Sequence, residues 1–324
     1  MTQPQITIVV PVYNAMPYLP AAIASVVAQQ GVEHTVLAID DGSTDGSLEY
    51  LLGLEHPRLS VLHQENRGLG AVLNRGIALC QTPFLARMDA DDISEPHRLR
   101  MQMEVMARSP SVVLVGSQLD FLIHDKRQKG LAYPTQHDQI VGDLMDGKWS
   151  LSHATLLMRT EAARRSGGYR ITGAGEDLDF CLLMSECGRV ANVPQALYLY
   201  RLHGSSISIT RQRELARGYA YARHTATERR RGMPESSLEQ FYSAWNRRST
   251  WHRYAELCSS VSNLKYREAR VHWAFERKFR ALRCLVTAGM LRPSLAWRVS
   301  RRLLEPTPPA QPPEMSSADS YAVH

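Results

Sequence analysis

The chain has 324 residues, of which 44% are hydrophobic and 22% are charged, and its formal net charge is +6. This is the composition of a globular protein, and no apolar run approaches the roughly 20 residues that a membrane-spanning helix needs. Five scattered cysteines without paired spacing favour reduced thiols in the cytoplasm over a disulfide framework.

The first ninety residues alternate short apolar runs with helical patterns. The runs are rich in β-branched residues, and each is followed by polar residues or by apolar residues at helical spacing. Strands are predicted at residues 6–10, 35–39, 59–63 and 84–88, and helices at 19–27, 48–52 and 70–79. This rhythm predicts βαβ units with right-handed crossovers and therefore a parallel sheet.

The alternation loosens after Pro96, where a further helix is expected to begin. Strands are predicted near residues 119–123, 154–158 and 197–201, with helices at 140–145 and 178–186 and a helix stop at Gly167-Gly168. We therefore expect an α/β protein whose sheet is mixed but mainly parallel and is flanked by helices.

The composition changes near residue 210. Residues 211–304 are rich in arginine and in helical patterns with few strand signals, and residues 305–324 are rich in Pro, Ser and Ala. A segment of that last composition buries too little apolar surface to fold. We predict an α/β domain at 1–210, a basic α-helical region at 211–304 and a disordered tail at 305–324.

Three carboxylates, Asp89, Asp91 and Asp92, follow the predicted strand 84–88. Like charges this close repel unless a cation, a basic group or water screens them, and the carboxyl end of a strand faces the crevice where open α/β sheets bind ligands. Carboxylates suit Mg²⁺ or Mn²⁺ that bridges to substrate phosphates. The alternative is a solvated turn with a helix cap, and Asp92 is the member expected to cap a helix.

A second acidic loop, residues 41–46, has the spacing that begins a calcium-binding loop. Position twelve of that loop is Leu52, where the bidentate glutamate should stand, so an EF-hand calcium loop is excluded. Two polar loops at neighbouring strand ends instead predict one ligand held between them, by its base or ribose in one loop and by its phosphates in the other.

Five motifs of the sequence occur in the order found in family 2 glycosyltransferases. They are Pro11-Val12-Tyr13-Asn14, Asp40-Asp41-Gly42-Ser43-Thr44-Asp45, Asn66-Arg67-Gly68 with Asn74, Asp89-Ala90-Asp91-Asp92 and Glu176-Asp177. Over about residues 5–210 the chain thus resembles this family, which implies the GT-A (Rossmann-like) fold, here followed by an α-helical C-terminal region.

The resemblance implies a role for each matching residue. Tyr13 would lie against the nucleobase and Asp41 would hydrogen-bond it, whereas Asp40 would support the loop. Asp91 would bind a divalent metal, Mn²⁺ or Mg²⁺, and Asp89 would face the ribose or donor sugar and the metal. The remaining implied contacts are donor binding by Pro11, Asn14, Arg67 and Asn74, and closure over the diphosphate or metal by His203.

Asp177 matches the general base of the family, and Glu176 beside it would contact or orient the acceptor. A single displacement would invert the anomeric centre as the acceptor hydroxyl loses its proton to the carboxylate. The implied reaction transfers a sugar from a nucleotide sugar, of UDP type, to a glycan or lipid-linked acceptor in cell-surface polysaccharide synthesis. The alternative is a catalytically inactive nucleotide-sugar-binding subunit with a regulatory or scaffolding role, against which the intact acids argue.

Two further features leave alternatives open. His153 has the position either to face the donor or to make a structural hydrogen bond. The aromatic residues of the basic region, Trp245, Trp251, Trp273 and Phe279, predict either contact with the inner face of the cytoplasmic membrane or a helical bundle with solvated arginines. Nucleic acid is not expected, because no DNA- or RNA-binding motif accompanies the charge.

Overall fold

The computed structural model describes residues 5–123, 125–130, 132–171, 175–202 and 212–247, together with Cys258, Ser262 and residues 278–291. The chain divides into two compact units, Met1–Arg253 and Tyr254–His324. His203 and the predicted tail at 305–324 lie outside the described residues.

The first unit begins with four strands that alternate with three helices. They are β1 (Ile6–Val12), α1 (Leu19–Val27), β2 (His34–Asp40), α2 (Ser47–Leu52), β3 (Leu59–His63), α3 (Leu69–Leu79) and β4 (Phe84–Arg87). The strands pair in parallel in the order β3-β2-β1-β4. The carboxyl ends of β1, β2 and β4 therefore lie at one edge of the sheet, as the sequence predicts.

The remaining strands extend the same sheet. The elements are β5 (Ile93–Ser94), α4 (Arg98–Arg108), β6 (Val112–Ile123), β7 (Lys126–Gln128), α5 (His137–Met145), β8 (Leu157–Arg159), α6 (Thr160–Arg165), α7 (Glu176–Cys187) and β9 (Arg189–Arg201). The order continues β4-β8-β6-β9-β5, with β8 antiparallel to β4 and β6 and with β9 parallel to β6. The predicted mixed α/β sheet is confirmed.

Strands β6 and β9 are much longer than the strands predicted at 119–123 and 197–201. Their pairing contains register shifts near Ser117 and Gln118, two polar residues that interrupt the apolar pattern. Both side chains are buried and hydrogen-bonded, Gln118 to the carbonyl of Tyr133 at 3.0 Å. The predicted strand 154–158 was also wrong in its first half, because His153–Thr155 forms a 3-10 turn before β8.

The core has one layer on each face of the sheet. Ile8 and Val10 pack with α1 and α4 on one face, whereas Val9 packs with α3 and α7 on the other. Such alternation follows from the two-residue period of a strand, and both faces are apolar because both are covered. A Cβ on Gly76 of α3 would lie 2.7 Å from a Val9 methyl, so the helix needs glycine there.

Two helices beyond residue 210 belong to the first compact unit. They are α8 (Gln212–Arg230) and α9 (Leu238–Arg247), and Ala222 and Ala226 of α8 are buried in the same cluster as α7. The domain boundary predicted at residue 210 thus falls inside this unit. In the second unit the structure describes α10 (Lys278–Leu291). None of the described helices combines the length and apolarity needed to cross a bilayer.

Candidate active site

Hydrogen bonds join the loop after β1 to the loop after β2. Asn14 adopts a left-handed backbone conformation (φ 49°), and its Oδ1 accepts the backbone N–H of Thr44 at 2.8 Å. Asp45 accepts the backbone N–H of Met16 at 2.8 Å. Tyr13 lies at the tip of this double loop with 54% of its surface exposed. Its ring is therefore available to a ligand at this edge.

The two aspartates after β2 bind the protein's own backbone. Asp40, fully buried, accepts the N–H groups of Gly42 and Ser43 at 3.2 Å and faces Nδ1 of His63 at 2.9 Å. The predicted supporting role of Asp40 fits these bonds. Pro11 lies beside Ile39 in the adjacent strand.

Asp41 holds the loop at 64–68. Its carboxylate accepts the side-chain amide of Gln64 at 2.7 Å and the backbone N–H groups of Arg67 and Gly68 at 2.9 and 2.8 Å. The Arg67 side chain is exposed. The contact of Asp41 with a nucleobase and that of Arg67 with the donor stay predictions.

Asn74 of α3 fixes the loop that leads to α7. Its side-chain amide accepts the backbone N–H of Tyr169 and donates to the Tyr169 carbonyl, both at 2.8 Å. Gly168 has φ of 68°, and a Cβ there would lie 2.4 Å from the Asn74 oxygen. Asn74 thus fixes Tyr169, whose ring stacks on Phe180 of α7, and the predicted contact of Asn74 with the donor stays a prediction.

Two buried arginines lie beneath the acidic cluster. Arg87, at the end of β4, donates Nη1 to Oδ2 of Asp89 at 3.1 Å, and Nη2 pairs with the other oxygen. Arg98 of α4 donates Nη1 to the carbonyl of Arg87 at 3.1 Å, and burial lowers the pKa of Arg98 to about 10. Sequence reasoning missed both residues, although an arginine at the end of an apolar strand was a usable signal.

The carboxylates of the cluster carry charge that the protein only partly compensates. Burial and the neighbouring Asp91 raise the pKa of Asp89, whereas Arg87 lowers it. Burial, Asp91 and Asp89 raise the pKa of Asp92 well above its ordinary value. Each ionised group therefore opposes ionisation of the next, which is the situation that a bound cation relieves.

Asp92 does not cap a helix, so that prediction was wrong. Its Oδ1 accepts the backbone N–H of Arg201 at 2.7 Å, and α4 begins six residues later at Arg98. The Arg201 guanidinium donates Nε to the carbonyl of Asp91 at 2.9 Å and lies over the ring of Tyr18 at 4.8 Å. The end of β9 thus closes the acidic loop, a link that no local pattern shows.

The oxygen atoms of this loop suit a hard divalent ion. Within the described part of the chain, no three side chains of metal-binding type gather at one point. Asp89 pairs with Arg87, and Asp91 is the residue to which the family resemblance assigns the metal. The predicted contribution of His203 lies outside the described residues. A metal here would therefore be held by Asp91 together with oxygen atoms of a bound substrate.

Asp177 stands in the first turn of α7, after Gly175 with φ of 103°. Its Oδ1 accepts the N–H of Leu178 at 2.8 Å, and its Oδ2 accepts the hydroxyl of Tyr219 at 3.2 Å. Burial raises the pKa of Asp177, while these hydrogen bonds and Arg87 lower it. A carboxylate with a raised pKa has the character of a general base. Glu176 lies half-buried beside it.

His153 makes the structural hydrogen bond that was one of its two predicted roles. Its Nε2 lies 2.7 Å from the hydroxyl of Tyr169, whose ring stacks on Phe180 with centroids 4.2 Å apart. Burial and the charge of Arg87 lower the pKa of His153 well below its ordinary value, so the ring is neutral. A second buried tyrosine, Tyr198 of β9, accepts the backbone N–H of Asp89 at 3.1 Å.

The chain matches a known family over its first half. Residues 7–165 match the family described as Glycosyl transferase family 2. Residues 7–165 therefore belong to glycosyl transferase family 2. The matched residues include the two acidic loops and the buried Arg87, whereas Asp177 lies beyond the end of the match at residue 165.

Relatives of this family 2 region include an uncharacterised glycosyltransferase and a chondroitin synthase. An uncharacterised glycosyltransferase of Haemophilus influenzae is 27% identical over 63% of this chain and 68% of its own length. The chondroitin synthase of Escherichia coli is 25% identical over 64% of this chain, but the match spans only 30% of that longer protein.

Solved structures show the same fold at low sequence identity. Residues 1–349 of S. aureus TarS in complex with UDP-GlcNAc align with a TM-score of 0.56 and 15% identity, over 92% of each chain. The mannosyltransferase PcManGT of Pyrobaculum calidifontis, in complex with GDP-Man and Mn²⁺, aligns with a TM-score of 0.54 and 16% identity, over 94% of this chain and 81% of its own. The GT-A fold of the family 2 region is therefore confirmed.

Proposed function

We propose that this chain is an inverting glycosyltransferase that moves a sugar from a UDP-sugar to a hydroxyl of a glycan or lipid-linked acceptor in cell-surface polysaccharide synthesis. The observation that carries the proposal is the arrangement of charge. Asp89 and Asp91 follow β4. Burial raises the pKa of Asp177, and the positive charge of Arg87 at the end of β4 lowers it. The chondroitin synthase relative supports the proposed role in polysaccharide synthesis, and the UDP-GlcNAc complex of TarS supports a UDP-sugar as the donor.

The donor would bind across the loops after β1, β2 and β4. Tyr13 offers an exposed ring for the base, and the Asp41 carboxylate and the backbone it orders offer hydrogen bonds. Asp89, held by Arg87, would accept a hydroxyl of the ribose or the donor sugar. Arg67 at the rim would face the donor with its positive charge.

Asp91 would hold a divalent ion against the diphosphate. When bound, such an ion neutralises the charge that builds on the departing nucleoside diphosphate. The Mn²⁺ in the PcManGT complex supports this assignment, as does the mutual repulsion of the carboxylates described above. His203 is the residue proposed to close this side of the site.

Asp177 would take the proton of the acceptor hydroxyl. As the acceptor oxygen forms its bond to the anomeric carbon, the bond to the diphosphate breaks with its electron pair, and the hydroxyl proton moves to the Asp177 carboxylate. Attack from the side opposite the leaving group inverts the anomeric centre. Glu176, beside the base, would orient the acceptor.

Release of nucleoside diphosphate by Asp177→Asn tests this proposal. With a panel of UDP-sugars, Mn²⁺ and acceptor extracts, we expect the wild-type protein to release UDP and the variant to lose at least about a hundredfold in kcat with nearly unchanged donor affinity. Equal loss of both would contradict the assignment of the base. Donor binding by wild-type protein without any turnover would favour the nucleotide-sugar-binding subunit instead.

Helix α10 supports contact with the inner face of the cytoplasmic membrane. Phe279 and Met290 are 90% and 80% exposed, and Leu282 and Val286 are also exposed. These four side chains fall within one stripe of the helix, because they are separated by three or four residues. Ala281, on the other side of the helix, is buried.

The charge of α10 supports an anionic lipid surface as the proposed partner of this stripe. Lys278, Arg280 and Arg283 are exposed, and residues 278–291 contain no acidic side chain. Basic residues beside exposed apolar ones favour an interface with acidic headgroups, where a lipid-linked acceptor would be presented. Of the aromatic residues predicted to make this contact, Trp251 and Trp273 lie outside the described residues, and Trp245 packs on Phe241 with ring centroids 5.3 Å apart.

Flotation with vesicles of acidic phospholipid tests the surface. We expect full-length protein to float and the double variant Phe279→Ser/Met290→Ser to float much less. Leu52→Ser, which changes a 67% exposed leucine on α2, is the matched control and should float like the wild type. Equal flotation of all three proteins, or none by the wild type, would contradict the proposal.

A further inference from the structure

We propose that Tyr219 is a positioning residue for Asp177, which it holds in the orientation needed to accept the proton. Tyr219 belongs to α8, beyond the domain predicted to be catalytic. The inference rests on the proposed function in one respect, since the role of Asp177 as base is itself a proposal. It assigns to the basic C-terminal region a part in the reaction.

The contact gives each oxygen of the carboxylate its own donor. The Tyr219 hydroxyl donates to Oδ2 at 3.2 Å, and the backbone N–H of Leu178 donates to Oδ1 at 2.8 Å. A carboxylate oxygen has two lone pairs, so Oδ2 can accept this bond and still face an acceptor hydroxyl. With both oxygens held, rotation of the carboxylate plane about χ2 is restricted.

A close approach of two glycines brings the hydroxyl to this place. Gly175 directly precedes Glu176-Asp177, and Gly218 directly precedes Tyr219. A Cβ on Gly175 would lie 2.6 Å from the carbonyl carbon of Gly218, and the φ of 103° at Gly175 also favours glycine. The two backbones thus touch where no side chain intervenes, two residues before Asp177 and one residue before Tyr219.

Packing and ion pairs keep the two helices in this register. The ring of Tyr219 meets the edge of Trp149 with centroids 5.4 Å apart and planes at 82°. Arg229 of α8 binds Glu186 of α7 at 2.7 Å. Asp179 of α7, itself buried, pairs with Arg170 at 3.1 Å. The position of the Tyr219 hydroxyl is therefore set by the packing of its ring on Trp149 and by the ion pair between α7 and α8.

The charges around Asp177 come from several elements. Arg87 of β4 favours its ionised form, and Glu176 on α7 is its acidic neighbour. Tyr169, ahead of α7, and Cys181, one turn along it, are both neutral at physiological pH because burial raises the pKa of each. Among the described residues, loss of the Tyr219 hydroxyl would leave the anion with Arg87 and backbone N–H groups as favourable partners.

The decisive experiment compares Tyr219→Phe with Tyr221→Phe. Tyr221 is the matched control, because it lies on the same helix and its hydroxyl donates to the carbonyl of Ser236 at 2.9 Å, away from the base. In full-length protein labelled with ¹³C-aspartate, the Asp177 carboxyl resonance is assigned with Asp177→Asn and titrated. We expect the pKa of Asp177 to rise in Tyr219→Phe and to stay at the wild-type value in Tyr221→Phe. The same pKa in all three proteins would overturn the inference.

Kinetics supply the second readout. Tyr219→Phe should lower kcat roughly tenfold at neutral pH, the size expected for one hydrogen bond to a charged group, and leave the KM for the donor unchanged. The acidic limb of its pH profile should move to higher pH, since the base must be ionised. A wild-type profile in this variant would overturn the inference. Failure of the wild-type protein to turn over any donor would contradict the proposed function alone, since the titration still decides the contact.

Discussion

The two acidic loops of the sheet edge use the same residue type in opposite ways. At the end of β2, Asp40 and Asp41 accept four backbone N–H groups and the side-chain amide of Gln64, and Asp40 also faces His63. After β4, burial and repulsion between neighbouring carboxylates raise the pKa of Asp89 and Asp92. Charge in the first loop orders that loop, whereas the carboxylates of the second oppose one another's ionisation.

This difference explains why sequence proximity of aspartates does not by itself mark a metal site. The carboxylate of Asp41 accepts three hydrogen bonds that order the loop at 64–68, and it keeps acceptor capacity for the hydrogen bond proposed to the base. In the second loop Arg87 pairs with Asp89, and repulsion among the carboxylates favours a bound cation. The following predictions test this contrast, from the largest expected effect to the smallest.

Asp91→Asn should abolish most of the activity without unfolding the protein. Loss of the proposed metal ligand should cost roughly a thousandfold in kcat/KM, because charge on the leaving diphosphate is no longer neutralised. The measurement is UDP release over a range of Mn²⁺ concentrations, with thermal unfolding as the check on folding. If the variant keeps the metal dependence of the wild type, Asp91 is not the ligand.

Asp41→Asn should instead act mainly on stability. It replaces a charged acceptor of three hydrogen bonds by a neutral amide with one acceptor oxygen, which should cost about 2 kcal/mol in the free energy of unfolding. Urea denaturation measures this, and Asp146→Asn at an exposed position is the control that should behave as wild type. If Asp41→Asn has the same free energy of unfolding as the wild type, the claim that Asp41 orders its loop is wrong.

The buried histidines should make the protein less stable in acid. In the folded protein, burial and Arg87 lower the pKa of His153. Below about pH 6.5 the unfolded chain therefore binds a proton that the folded chain does not bind. The contribution of His153 to the free energy of unfolding is present above that pH and is lost as the pH falls. His34 and His137 act in the same direction. In His153→Gln the slope of unfolding free energy between pH 6.5 and 5 should decrease by up to about 1.4 kcal/mol per pH unit.

Asp92→Asn should stabilise the metal-free protein slightly at neutral pH. The amide keeps the oxygen that accepts the N–H of Arg201, and the change removes a buried charge that Asp89 and Asp91 repel. We expect a gain of about 1 kcal/mol, read from chemical denaturation in a metal chelator. A loss of stability there would mean that the charge of Asp92 is compensated by the protein after all.

The sequence was most informative where structure is local or where the pattern is continuous. Strands β1, β2 and β4 are buried on both faces, so their residues form unbroken apolar runs that mark their ends well. The acids at those ends were found for the same reason. Strand β6 escaped full prediction because buried polar residues such as Ser117 and Gln118 depend on partners that are distant in sequence.

The partners of the acids were not predictable from local patterns. Asp89 and Asp92 bind β9 at Tyr198 and Arg201, and each of these pairs is 109 residues apart in the chain. Asp177 binds Tyr219, which sequence reasoning placed in another domain. Tyrosine in an apolar strand and tyrosine in a basic helix are common, so neither pattern distinguishes a residue that serves the site.

The contact between Gly175 and Gly218 bears on how the protein can be shortened. A fragment ending at residue 210 would lose α8 and uncover the part of α7 that packs on Ala222 and Ala226. Such a fragment would be a poor choice for crystallisation or for a minimal enzyme. A truncation after residue 247 would keep α8 and α9 on the sheet domain and would remove the segment proposed to meet lipid.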